Sequence, residues 1–268
     1  MRMTGNTILV TGGTSGIGLG LAQAFAERDN TVLVTGRTQA QLDALAATAP
    51  ELHGVVLDLD DPASLPACKG AVLGQFPALN VVVANAGISG REDLTADDWN
   101  LAGAEATIRT NVMGVLATAE ALLPILRRQR VATFIVTSSK LAYLPSAAFP
   151  TYCGTKAFLH SWIQSLRHQL RDTPIEVLEL LPPYVATKIT GEAQLTDPRA
   201  MPLAAFVAET ITLLESGEHP GGEVLVQRAR ADRYAEREGR YAEAFATTNG
   251  VAQGVECVDA AKLTVLRR

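Results

Sequence analysis

The strongest constraint on the fold is the regular alternation of short apolar, β-branched runs with longer stretches whose apolar residues recur every three or four positions. The runs are Thr7–Thr11, Thr31–Gly36, His53–Asp58, Asn80–Ala84, Ala132–Ser138, Ile175–Leu181 and Glu223–Gln227. Each is too short for an ordinary helix and reads as a buried strand. Between them, helices are expected over Gly18–Arg28, Gln39–Thr48, Pro62–Gly74, Ala104–Arg128, Thr151–Arg171 and Pro202–Ser216. Such alternation demands right-handed crossovers and a mostly parallel sheet covered by helices on both faces. The expected fold is therefore α/β, doubly wound and Rossmann-like, with about seven strands. A length of 268 residues and 47% hydrophobic content suit one domain, residues 1–249, followed by a tail, residues 250–268, of no assigned role. Ahead of the tail, Arg228–Phe245 is charge-rich, with Tyr234, Tyr241 and Phe245 near helical spacing, and predicts an amphipathic helix.

Charge and cysteine usage exclude several roles. A net charge of -5 is the wrong sign for a chain built to neutralise nucleic-acid phosphates. No apolar stretch approaches the roughly 18 residues of a membrane span, and the polar start, Met1–Asn6, lacks an export signal, so a cytoplasmic location is expected. Cys68, Cys153 and Cys257 are widely spaced and odd in number, which suits reduced packing residues. His53, His160, His168 and His219 lack metal-ligand spacing, and no metal site is expected.

In an open parallel sheet, ligands bind beyond the carboxyl ends of the strands. The conspicuous residues of this chain fall there. The first strand leads into Thr11-Gly12-Gly13-Thr14-Ser15-Gly16-Ile17-Gly18. Gly12 permits a tight turn, Gly16 a close backbone approach to a pyrophosphate, and Gly18 close helix–strand packing, while the helix N-terminus supplies free N–H groups. Contacts to a dinucleotide are accordingly expected from Gly12, Thr14, Ser15, Gly16, Ile17 and Gly18. The second strand ends at Thr35-Gly36-Arg37-Thr38 without a carboxylate, so Arg37 is placed to fork a 2′-phosphate, which favours NADP over NAD. Asp58, followed by Leu59, ends the third run and suits the adenine amino group, or else a helix N-cap. Asn85-Ala86-Gly87 closes the fourth with small residues that admit the cofactor ribose, Asn85 also being suited to tying strands together.

Tyr152 and Lys156 lie four apart near a helix start and project from one face. A phenol is a poor acid/base at neutral pH unless a cation stabilises its phenolate, and Lys156 supplies one. Ser139, after the fifth strand, offers a hydroxyl to a carbonyl oxygen that gains charge as hydride arrives. Asn111 is a polar residue inside a long apolar helix, expected to meet an ordered water shared with Lys156, or to bend the helix. Leu141, Tyr143, Leu144, Phe149 and Tyr184 are candidates for an apolar pocket or for core packing, and Lys188–Arg199 for a closing lid.

Together these residues resemble the short-chain dehydrogenase/reductase family in its ordinary, non-extended form. The pattern Thr-Gly-x-x-x-Gly-x-Gly is met by Thr11, Gly12, Gly16 and Gly18, Asn-Ala-Gly by Asn85–Gly87, and a catalytic tetrad by Asn111, Ser139, Tyr152 and Lys156. The resemblance covers Thr7 to about Gln227. It implies strand order 3-2-1-4-5-6-7, a homodimer or homotetramer, no catalytic metal, and hydride transfer between NADP(H) and a carbonyl or secondary alcohol with Tyr152 as general acid/base. Tyr152 and Lys156 would then also touch the cofactor, and Val185 and Thr187 its carboxamide and phosphate. One departure is Pro183, where the family usually has glycine, and this double proline bears a looser likeness to the DltE-type bacterial branch. A nucleotide-binding sensor without turnover is the alternative function; epimerisation or dehydration would call for a longer chain with a separate substrate lobe.

Overall fold

The computed structural model describes residues 1–61 and 63–250. Its seven strands are β1 (Thr7–Val10), β2 (Thr31–Gly36), β3 (Leu52–Val56), β4 (Leu79–Ala84), β5 (Ala132–Thr137), β6 (Ile175–Leu181) and β7 (Glu223–Leu225). They form one sheet in the order 3-2-1-4-5-6-7, and every adjacent pair is parallel. The helices are α1 (Gly16–Ala26), α2 (Gln39–Ala46), α3 (Ser64–Gln75), α4 (Ala102–Ile108), α5 (Gly114–Leu126), α6 (Pro150–Gln169), α7 (Leu203–Ser216), α8 (Gln227–Arg233) and α9 (Tyr241–Thr248).

Continuously apolar strands follow from burial on both faces. Along β1, Ile8 and Val10 join Phe25 of α1 and Phe206 of α7 in one core. Leu9 points the other way, into a second core with Phe134 of β5, Leu122 of α5 and Leu159 and Ile163 of α6. Phe25, Phe134 and Phe206 are fully buried, and truncating any of them to alanine would cost about 3–5 kcal/mol. Among the described residues no helix is long and apolar enough to cross a membrane.

Three expectations need correction. The helix read as continuous over Ala104–Arg128 is α4 and α5 joined by a π-helical turn, Arg109–Met113, that contains Asn111. The single amphipathic helix over Arg228–Phe245 is two short helices, α8 and α9, interrupted near Gly239, whose φ of 71° is left-handed. β3 stops at Val56, so Asp58 stands in the following loop. The tail, with Cys257, lies outside the described residues apart from Gly250.

Candidate active site

β1, β2, β4, β5 and β6 release their chains at one edge of the sheet, and the predicted site residues gather there. Gly12 has φ 65° and Gly16 φ 53°, both left-handed values that favour glycine. A Cβ on Gly18 would strike Gly12 O and the Asn85 amide, so absence of a side chain lets α1 start tight against the strand. Around Gly16, by contrast, only Thr187 lies near, with its Cγ2 3.5 Å from an added Cβ. The glycine loop and the Thr187 segment thus lie side by side, Thr187 within van der Waals reach of a Cβ on Gly16. Ser15, the N-cap of α1, is exposed and makes no side-chain capping bond, and the first turn holds no acidic residue. The N–H groups at this helix start are left for an anion.

Thr11 organises the loop, a role that its place in the glycine pattern alone did not reveal. Its hydroxyl accepts from Asn85 N and Ala86 N, each at 3.0 Å, and so ties the exit of β1 to that of β4. Asn85 Nδ2 donates to Thr11 O at 3.2 Å and Thr137 Oγ1 donates to Asn85 Oδ1 at 3.3 Å, which makes Asn85 the cross-brace of three strand ends. Gly87 runs beside Asn111, whose Oδ1 would be 3.2 Å from a Cβ there.

The remaining cofactor candidates divide between open and engaged groups. Arg37 is exposed at the end of β2; its backbone N–H donates to Gln41, and its guanidinium has no hydrogen bond among the described residues. Asp58 accepts from Asp60 N at 3.0 Å and so shapes its own turn; it is not the helix N-cap expected as the alternative to adenine recognition, because α3 starts at Ser64 with Ala63 as its N-cap. Leu59 packs on Gly114 so closely that a Cβ would lie 2.7 Å from its Cδ1. Val185 and Thr187 are buried, and Gln194 Nε2 donates to Val185 O at 2.6 Å. That buried glutamine pins Lys188–Arg199 to the end of β6. Beside it, Ala186 N donates to Met201 O and Met201 N to Tyr184 O, so the double-proline segment is closed by a short parallel bridge.

On α6, Tyr152 is half-buried and Lys156 is 4% exposed. Lys156 Nζ lies 5.6 Å from the Tyr152 ring centroid and donates to Thr137 O at 2.8 Å. Burial pushes the Tyr152 phenol up to about 12, partly offset by the Ser139 hydroxyl beside it. Burial likewise pulls Lys156 down to about 8, opposed by the charge of Glu179. The balance keeps the phenol protonated, whereas a dominant lysine cation would lower it. Ser139 is the N-cap of a short 3-10 turn, Lys140–Ala142, and accepts from Leu141 N at 3.1 Å.

Asn111 is fully buried and its amide is engaged. Nδ2 donates to Ile88 O and Thr155 Oγ1, at 2.9 and 3.2 Å, and Oδ1 accepts from Ile88 N at 2.8 Å. Both donors are taken, so the side chain clasps the chain leaving β4 instead of offering an N–H to a water shared with Lys156. Of the pocket candidates, Leu144 is core, 1% exposed, and Tyr143 is bound to His160. Leu141, Phe149 and Tyr184 remain half-buried, with Tyr184 donating to Asp197.

This arrangement of glycine loop, Asn-Ala-Gly and paired tyrosine and lysine on one sheet edge coincides with a match to the short chain dehydrogenase family over residues 6–198. The chain belongs to that family of oxidoreductases. It is 38% identical over 194 residues to the uncharacterized oxidoreductase DltE of Bacillus subtilis, covering 72% of this chain and 77% of the relative. It is 31% identical over 189 residues to serine 3-dehydrogenase of Agrobacterium fabrum, covering 69% and 74%. A short chain dehydrogenase from Burkholderia cenocepacia, solved in complex with NADP, shares the fold with a TM-score of 0.76 at 20% identity, covering 91% of this chain and 99% of that one. Cys68 and Cys153 are free, buried thiols whose pKa burial raises, which suits packing within this short-chain dehydrogenase fold.

Proposed function

We propose that this chain is an NADP(H)-dependent reductase and dehydrogenase of carbonyl and secondary-alcohol pairs. The observation that carries the reading is the convergence of Ser139, Tyr152 and buried Lys156 on the sheet edge that also presents the glycine loop. The nicotinamide, when bound, supplies or accepts hydride at the substrate carbon. In the reducing direction the protonated Tyr152 phenol delivers its proton to the carbonyl oxygen, which Ser139 holds. Lys156 replaces that proton and, as a cation, stabilises the phenolate while it lasts. Asn111 keeps the wall of the site in register through Ile88.

For the cofactor, Gly16 with its left-handed backbone, the uncapped start of α1 and Thr187 beside it fit a pyrophosphate. Val185 fits the carboxamide side, and the free Arg37 guanidinium supports NADP over NAD. We infer a cytosolic homodimer or homotetramer. Ile108, Met113 and Phe158, which are 45, 56 and 42% exposed on adjoining parts of α4, its π turn and α6, support an assembly through that face.

The test is a carbonyl and alcohol panel run with NADPH and NADH in parallel on the parent and Tyr152→Phe. The panel begins with serine, the amino acid in the Agrobacterium relative's name. NADPH-dependent turnover lost in Tyr152→Phe, with NADPH binding retained, is expected. Undiminished turnover in that variant would sink the assignment.

A further inference from the structure

A buried polar cluster lies behind Lys156. β6 sends Ile175, Val177 and Glu179 to the face covered by α6, and the first two join the core there. Glu179 occupies the third such position as a carboxylate with no exposure at all. A charge buried this deeply persists only if its oxygens are matched. Ser138 Oγ donates to Oε1 at 2.5 Å, Tyr143 OH donates to the same oxygen at 3.4 Å, and His160 Nδ1 stands 2.8 Å from Oε2. His160 is partly exposed, and its Nε2 lies 2.7 Å from Gln164 at the surface.

Glu179 and Lys156 are gripped by the same two elements. Consecutive residues at the end of β5 hold them: Thr137 O accepts from Lys156 and Ser138 Oγ donates to Glu179. One turn apart on α6, Lys156 and His160 face that pair. The neighbouring charges are otherwise matched. Glu223, paired in register with Glu179, is forked by Arg233 at 2.7 and 2.9 Å, and Arg233 also lies 4.1 Å over the Tyr143 ring. The titratable groups facing Lys156 are thus Tyr152 from α6 and Glu179 from β6. Those around Glu179 are Tyr143, His160 and the Glu223–Arg233 pair.

We propose that Glu179 is a positioning residue for the acid/base unit: its sealed carboxylate holds Lys156 in the ammonium form and, through Ser138, sets the strand end that presents Ser139. The inference rests on the Tyr152 and Lys156 reading above. The opposing influence of Glu179 on Lys156 accords with this placement. His160 is the carboxylate's link to solvent, since it alone joins Glu179 to an exposed side chain among the described residues.

The test is an NMR titration of Lys156 in protein carrying 13Cε-lysine, with the signal assigned by its loss in Lys156→Met. In Glu179→Gln the Lys156 midpoint is expected to fall by about one pH unit, because a nearby negative charge has been removed. The alkaline limb of carbonyl reduction should move down with it, at unchanged NADPH affinity near neutral pH. If that variant does not fold, Glu179→Met combined with Ser138→Ala, Tyr143→Phe and His160→Leu removes the carboxylate together with the polar groups that faced it, and the same fall is expected. An unchanged midpoint in either folded variant overturns the proposal. Should the parent reduce no carbonyl in the panel, the catalytic reading fails, while the titration still decides whether Glu179 governs Lys156.

Discussion

Replacing Lys156 by methionine puts the electrostatics of the site to a thermodynamic test. Burial lowers this lysine from its free value of 10.5 to about 8. A depression of that size corresponds to about 3 kcal/mol in favour of the neutral amine once the chain is folded. At neutral pH the folded protein nevertheless carries the ammonium, and that cost with it. Methionine keeps the length and removes the charge, but loses the 2.8 Å hydrogen bond to Thr137 O. That bond contributes about 1 kcal/mol, so the variant should be more stable than the parent by about 2 kcal/mol at neutral pH. The folded pKa lies below the unfolded one, so between about 8 and 10.5 the unfolded chain binds more protons and the parent gains stability as pH rises. The advantage of the variant should therefore be complete below about pH 8, vanish before 10.5 and give way there to a deficit of about 1 kcal/mol, the lost hydrogen bond alone. Urea unfolding of both proteins without cofactor, at neutral pH and near the upper end of that window, measures the difference. A variant less stable than the parent at neutral pH, or a difference that ignores pH, would refute the reasoning, whatever becomes of turnover.

Other substitutions probe the neighbouring parts of the site. Arg37→Ala removes charge-assisted bonds of about 1.5–3 kcal/mol, so NADPH should bind roughly ten- to a hundredfold more weakly while NADH is unaffected; equal weakening of both in fluorescence titrations would remove the 2′-phosphate role. Gly18→Ala drives a Cβ into Gly12 O and to 2.6 Å from Asn85 Nδ2, and the overpacking should cost about 1–3 kcal/mol, at about 2–4 °C in Tm per kcal/mol. Asn111→Ala strands the Ile88 N–H and C=O, at about 1–3 kcal/mol for each group left without a partner. Asn111→Asp keeps the acceptor for Ile88 N but sets a buried carboxylate oxygen against Ile88 O, so in the same urea assay at neutral pH it should not recover the loss.

The fold was readable because its signals are local. Seven apolar runs and the intervening helical spacing are properties of neighbouring residues, and each run coincides with an observed strand to within a few positions. The glycine loop was equally readable, since left-handed backbone at Gly12 and Gly16 is a demand on single residues. The π turn was not: Asn111 in an apolar helix marked the place, but only its pair of hydrogen bonds with Ile88, in another segment, explains it. Tyr143 looked like a pocket residue, and His160 like an ordinary imidazole, for the same reason. A carboxylate in the apolar run of β6 was the available signal, and period-two alternation alone would have flagged Glu179.

What the amino-acid sequence determined by itself was the parallel α/β scaffold, the glycine turn ahead of α1 and the four-residue spacing of Tyr152 and Lys156. Tertiary structure decided the rest: the depth at which Lys156 is buried, the partners that occupy Asn111, and the assembly of Ser138, Tyr143, His160 and Glu179 into one hydrogen-bonded cluster. Those contacts join residues 17 to 41 positions apart. No periodicity reaches that far. Protonation states depend on desolvation and charge at distances set by packing, so they exist only once strand order has brought β5, β6 and α6 together.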